Sequence, residues 1–200
     1  MDAAFKPLVD QLFHVEELPV PWYVAGGWAI DLFMGGVTRD HHDVDLAIAR
    51  ADQRAAYAHI TDRTWSKIVP HPEGLIDMGT VAPWDGTRLS LPTHQILADD
   101  DDGHRIEFLL SEIGPIEWRS RRNLEVTMPM STMALTSDDD IRYLAPEIVL
   151  LYKASLMREW DEADFETALP ELFLGQRHWL FHALDQEQPG HPWMERLGVS

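Results

Sequence analysis

The stretch of this chain that most restricts its fold is VAGGWAIDLFMGGVTRDHHDVDLAI, residues 24–48. In its last six residues the alternation is strict: Val44, Leu46 and Ile48 fall on one side of an extended chain, and Asp43, Asp45 and Ala47 on the other. Such a strand must press its apolar face into a core, while the opposite face carries two carboxylates about 7 Å apart. Burying unpaired carboxylates is costly unless a cation meets them. Convergence on one hard cation such as Mg²⁺ would answer that cost.

Two neighbouring patterns extend the reading. Upstream, YVAGGWAI is a short strand entering a glycine turn and then a helix. Gly26 and Gly27 permit close backbone approach, and the helix start offers unpaired N–H groups to an anion. Downstream, HRIEFLL places Glu107 between Ile106 and Phe108, again acid against apolar. If that strand lies beside the first, three carboxylates share one patch of sheet. That donor set suits Mg²⁺ completed by substrate phosphates.

Bulk properties narrow the class. The chain has 200 residues, 45% hydrophobic and 25% charged, which suits a soluble globular protein of one medium or two small domains. With no cysteine there are neither disulfides nor thiolate metal sites. The start, MDAAFKPLVDQLFHVEEL, reads as an amphipathic helix and not a signal peptide. No apolar run approaches the roughly 20 residues of a membrane span, so a cytoplasmic location and no membrane partner are expected. Acids outnumber bases 34 to 16, for a net charge of −18. Such a field repels phosphate backbones and attracts cations, so nucleic acid is not expected as a partner.

The expected elements are helices near 3–17, 27–34 and 51–62, and strands near 22–25, 43–48, 65–70, 87–91, 93–98, 104–110 and 124–128. Asp102-Gly103 predicts a hairpin joining two of these strands. APEIVLLYKASLMREW, with Pro146 at a helix start, predicts a buried helix, followed by helices near 161–174 and 175–186. The natural division is a mixed sheet region at 1–138 and a helical region at 139–200.

The order strand, Gly-Gly, helix, Asp-x-Asp strand, then acid-bearing strand resembles the DNA polymerase β-type nucleotidyltransferase superfamily. GGWAIDLF and TRDHHDVDLAI resemble its aminoglycoside and lincosamide branch, as do THQI, YLAPEIVLLYKA and PGHPW further on. The resemblance implies an α+β fold, a mixed sheet flanked by helices with a C-terminal helical region. It implies Mg²⁺-dependent transfer of a nucleoside monophosphate, AMP from ATP in the first instance, to a hydroxyl of a small molecule. It also implies antibiotic resistance as a role. Asp43 and Asp45 would hold the metal, and Glu107 would complete a second metal position or accept the hydroxyl proton. Gly26, Gly27, Arg39 and Lys153 would hold the triphosphate. Two departures stand out: Trp28 replaces the serine common in the superfamily, and Glu107 is longer than the usual aspartate.

Each cation has a plainer role open to it. Arg39 can pair with a neighbouring aspartate, Arg121 and Arg122 can be solvated, and Lys153 can snorkel to the surface. His41 and His42 beside the acids suggest a transition metal, but an oxygen-rich site suits Mg²⁺. Glu147 suits the first turn of a helix, with acceptor binding as its alternative. Trp84 and Trp118 are candidates to line a pocket. The acids at 99–102 and 137–140, Glu112 and Glu117 are expected to leave unpaired charge near the cleft, favouring a small cationic acceptor. Two further classes stay open: a nucleotidyltransferase acting on a transfer RNA or protein in a toxin–antitoxin setting, and a non-catalytic nucleotide-binding module.

Overall fold

The computed structural model describes residues 3–71 and 79–199. The chain opens with helix α1 (Lys6–Leu12), flanked by 3₁₀ turns, and its Leu8 and Leu12 are buried. Strand β1 (Trp22–Val24) leads directly into α2 (Gly26–Met34). Gly35, at φ +71°, ends α2 and donates its N–H to the Asp31 carbonyl, the left-handed cap that glycine adopts without a Cβ penalty. Strand β2 (Val44–Ala49), helix α3 (Gln53–His59) and strands β3 (Thr64–Pro70), β4 (Gly79–Pro83), β5 (Gln95–Asp99) and β6 (Arg105–Ile113) follow. Four three-residue strands come next: β7 (Glu117–Arg119), β8 (Thr127–Pro129), β9 (Ala134–Thr136) and β10 (Arg142–Leu144). Helices α4 (Pro146–Lys153), α5 (Glu159–Ala168), α6 (Leu174–Glu187) and α7 (Trp193–Arg196) complete the chain.

The fold is α+β, with helices around a mixed sheet ordered β4-β3-β5-β6-β2-β1-β10-β9 and the β7–β8 pair carried at the end of β6. β2 and β6 run parallel, and the β5–β6 hairpin predicted at Asp102-Gly103 is antiparallel. One sheet face gathers Leu46, Ile96, Phe108 and Ile106, all fully buried. The Trp65 ring stacks on Phe108 at 5.6 Å, and Tyr57 and Trp84 close the same aromatic cluster. Trp84 and Trp118, expected as candidates to line a pocket, are core side chains: Trp118 is fully buried among Tyr152 and Trp179.

The segment 87–91 is not a strand. Its backbone is satisfied by a side chain instead of a ladder, since the Leu89 N–H donates to Gln53 Oε1 at 2.6 Å and its carbonyl accepts from Gln53 Nε2 at 3.0 Å. Strand β10 lies past residue 138 and is the parallel neighbour of β1, so the sheet runs across the 138/139 division. Helix α4 is buried nearly all round, as its apolar run predicts. Among the described residues no helix is long and apolar enough to cross a membrane.

Candidate active site

The site is built where β1 turns into α2. The Ala25 N–H donates to the Asp45 carbonyl at 2.8 Å, tying the end of β1 to β2. Gly26 then takes φ +59°, and a Cβ there would overlap the Asp45 carboxylate. A Cβ on Gly27 would collide with the Arg39 guanidinium and the His41 ring. The two glycines are required because a carboxylate, a guanidinium and an imidazole crowd the helix start. Trp28 donates its indole N–H to the Asp43 carbonyl at 3.1 Å and packs over His41 with ring centres 4.3 Å apart.

The loop between α2 and β2 is anchored through Asp31, which is fully buried. Asp31 Oδ1 accepts the Thr38 N–H and hydroxyl at 3.0 and 2.6 Å, and its Oδ2 lies 2.6 Å from His41 Nε2. His41 thus anchors the loop through Asp31. Among the described residues no group of three or more His, Asp or Glu side chains forms a metal cage.

In the parallel β2–β6 pair, Asp45 stands opposite Glu107, so both carboxyls leave the same face. Asp43 lies just before β2 and is exposed. Burial, and after it the charges of Glu107 and Asp43, hold the Asp45 carboxyl well above the usual carboxylate range. Burial and Asp43 likewise raise Glu107, against a 2.7 Å hydrogen bond donated by Gln95 Nε2 to its Oε2. Groups that resist ionisation together are suited to a cation that would relieve them. An all-oxygen set open on one side suits Mg²⁺, which keeps positions for phosphate oxygens and water. Asp43, Asp45 and Glu107 form no closed cage by themselves, so they could hold it only with phosphate oxygens or water completing the set.

These acids face a cleft of about 500 Å³ whose lining includes Gly26, Gly27, Arg39, Tyr152, Lys153, Arg158 and Trp160. All seven residues expected from the sequence, Asp43, Asp45, Glu107, Gly26, Gly27, Arg39 and Lys153, line this one cleft. The counter-ions of the two expected cations, however, are protein carboxylates. Arg39 makes a two-pronged contact with Asp164 at 2.8 and 2.9 Å. The buried Lys153 ammonium lies 2.7 Å from Asp164 and 3.2 Å from Asp161, so it does not snorkel. Against the upward push of burial, contacts with Arg39 and Lys153 hold the Asp164 carboxyl below its usual range.

Arg122 is turned away from phosphate chemistry: it donates to the Leu151 and Tyr152 carbonyls at 3.1 and 3.0 Å, at the end of α4. Arg121 lines the cleft with its guanidinium 3.9 Å above the Tyr152 ring centre. Glu147 lies outside the cleft lining, buried and hydrogen-bonded by Gln176 Nε2 at 2.8 Å. Four of the surplus acids expected near the cleft have basic partners. Asp99 pairs with Arg105, Asp100 with Arg63 and His104, Glu112 with Arg50 and Glu117 with Arg119. A more open groove shares Trp28, His41, His42 and Asp43 with the cleft and continues past Asp10, Asp100 and Asp102.

Sequence reading missed Gln95, Arg158 and Asp164. Asp161 and Asp164 at an i, i+3 spacing beside Phe165 carry the one available signal, acids on the face of a helix that also holds an apolar residue.

The family model described as aminoglycoside-2''-adenylyltransferase matches residues 8–67, the segment from α1 through the Asp-x-Asp strand into β3. A 2''-aminoglycoside nucleotidyltransferase of Klebsiella pneumoniae is 43% identical over 47 residues, covering 23% of this chain and 27% of that protein. The matched segment thus spans about a quarter of that curated relative. Over most of the chain the likeness is one of fold. ANT(2")-Ia in complex with adenylyl-2"-tobramycin aligns with a TM-score of 0.59 at 15% identity, covering 90% of this chain and 97% of that one. The lincomycin-bound lincosamide antibiotic adenylyltransferase LnuA aligns at 0.51 and 14% identity, covering 84% and 95%. The chain therefore carries the fold of these adenylyltransferases, and in residues 8–67 it is similar to the aminoglycoside-2''-adenylyltransferase family.

Proposed function

We propose that this protein is a Mg²⁺-dependent nucleotidyltransferase that moves a nucleoside monophosphate, AMP from ATP, onto a hydroxyl of an aminoglycoside-like small molecule. The observation that carries the reading is the Asp45–Glu107 pair on adjacent strands, facing Lys153 and Arg39 beside the Gly26-Gly27 helix start. The family match over residues 8–67 and the relative's name support the acceptor class.

Asp43 and Asp45 would hold the metal, which would offset charge on the transferring phosphoryl group. Gly26 and Gly27 bring backbone N–H groups to the triphosphate at the start of α2. Arg39 and Lys153 add charge-assisted contacts. Glu107 accepts the proton of the acceptor hydroxyl, whose oxygen bonds to the α-phosphorus while the bond to the β-phosphate breaks and pyrophosphate leaves. The acceptor enters along the open groove past Asp43 and Asp102, where carboxylates receive its amines.

The test is pyrophosphate release from each of the four NTPs against a panel of aminoglycosides, lincosamides and transfer RNA. Release with ATP and an aminoglycoside is expected. Release with transfer RNA alone would replace the small-molecule reading.

A further inference from the structure

Alongside Asp45 and Glu107, the cleft is lined by the cations of an alternating chain of charges. Arg39 Nε and Nη2 donate to Asp164, whose Oδ2 also receives Lys153. Lys153 bridges to Asp161 Oδ1 at 3.2 Å. Asp161 then accepts from Arg158, at Nε (2.7 Å), at Nη2 (3.2 Å) and at the backbone N–H (3.1 Å). The three cations line the cleft; neither aspartate does, and both are buried behind it.

We propose that Asp161 and Asp164 are positioning residues for nucleotide binding, acting through Arg39, Lys153 and Arg158; this rests on the nucleotidyl-transfer reading above. Stability alone gives no reason for the arrangement, because buried ion pairs can often be replaced by apolar packing without loss. Two aspartates against three cations leave one positive charge over, on the cleft side. The cations also keep donors: an ammonium has three N–H bonds and Lys153 directs two at the aspartates, while the guanidinium of Arg158 gives Asp161 only Nε and Nη2. Asp164 further joins two distant parts of the chain, since Arg39 lies in the loop before β2 and Lys153 at the end of α4. A long arginine and a long lysine that would otherwise sample many rotamers are thereby fixed before nucleotide arrives, and that preorganisation raises affinity.

Binding of the magnesium complex of α,β-methylene ATP, which cannot transfer its nucleotide, reads this directly. Asp164→Asn turns an amide N–H₂ or a neutral oxygen toward two cations, so Arg39 and Lys153 lose their seat. The affinity of the variant should fall about tenfold, the scale of a lost charge-assisted contact. Arg39→Ala should also weaken binding, and the double variant should lose less than the product of the two single losses, because Asp164 acts in part through Arg39. Fully multiplicative losses would overturn the proposal and leave Asp164 a structural residue. Should Asp164→Asn fail to fold, the Lys153 ammonium signal in the unaltered protein decides. A shift of that signal on adding the analogue supports the proposal, and binding without a shift overturns it. A protein that neither binds the analogue nor releases pyrophosphate from any NTP removes the nucleotidyl-transfer reading itself, and the positioning role with it.

Discussion

Asp45 and Glu107 stand at partnered positions on two parallel strands, β2 and β6, with their carboxyl groups on one face of the sheet. The two acids are 62 residues apart in sequence, so only the register of that parallel pair brings them together.

Because burial and the charges of Glu107 and Asp43 hold the Asp45 carboxyl above its ordinary range, its ionisation works against the folded state. A carboxyl whose folded pKa lies above the unfolded value contributes stability that is fully present below the unfolded pKa. That contribution is lost as pH rises through the folded pKa. Without metal or nucleotide, Tm should therefore decline as pH rises above the usual carboxylate range, and Asp45→Asn should flatten the decline. A gain of about 1 kcal/mol at neutral pH corresponds to roughly 2–4 °C in a domain of this size. Turnover should fall by about 10²-fold or more, since a charge aimed at the reacting group is gone. Thermal melts across pH, paired with pyrophosphate release, check both. Unchanged activity would remove Asp45 from the site.

Gly26 and Gly35 bracket α2, both at positive φ, yet their surroundings differ. Alanine at either position meets the left-handed penalty of about 1–2 kcal/mol. At Gly35 nothing lies within 4 Å of a Cβ, so Gly35→Ala should lower Tm and keep activity. At Gly26 the new Cβ displaces the Asp45 carboxylate, so Gly26→Ala should lose turnover beyond its loss of Tm. Equal activity in the two variants would contradict the close approach of Gly26 to Asp45.

The sequence carries the site's acids clearly, because period-two alternation in DVDLAI and HRIEFLL marks both the strands and the exposed face. The Gly-Gly signal is equally local. What sequence does not carry is the seating of the cations. Lys153 closes an apolar run and reads as an amine in need of a counter-ion, but nothing in the spacing says whether phosphate or protein supplies it; Asp164 lies on the next helix. Strands β7, β9 and β10, of three residues each, are too short to show a period. Segment 87–91 reads as a strand because Leu89 and Leu91 alternate with polar residues, whereas Gln53, 36 residues away, satisfies its backbone.

Glu147 tests whether a buried, perturbed carboxyl belongs to the chemistry. Burial raises its pKa against hydrogen bonds from its own backbone and Gln176, yet it lies outside the cleft lining. Glu147→Gln removes a charge that burial penalises and can still bond Gln176 by an amide pair. Its Tm at neutral pH should be equal or higher, with kcat and KM within about twofold of the parent. A large loss of kcat at unchanged Tm would instead give Glu147 a role toward the acceptor.

In the proposed mechanism, Gln95 would set the pH at which Glu107 can act as base. Glu107 serves as base only when ionised, and burial together with Asp43 opposes ionisation, while the 2.7 Å hydrogen bond from Gln95 Nε2 favours it. That bond occupies Oε2 and leaves Oε1 for the acceptor hydroxyl, so removing it should leave the geometry of attack in place. Gln95→Ala should then move the acidic limb of the kcat/KM profile to higher pH, with the plateau at high pH nearly preserved. Stability should move the same way: with Glu107 raised further, its unfavourable ionisation costs more at neutral pH, and Tm should drop more steeply as pH increases. A conservative Gln95→Asn, too short to span the gap, should behave like the alanine variant and not like the parent. The pH–rate profile with saturating nucleotide and limiting acceptor provides the measurement. A uniform drop in rate with an unmoved acidic limb would show that Glu107 is not the group whose ionisation limits the reaction, and would assign it to the metal instead.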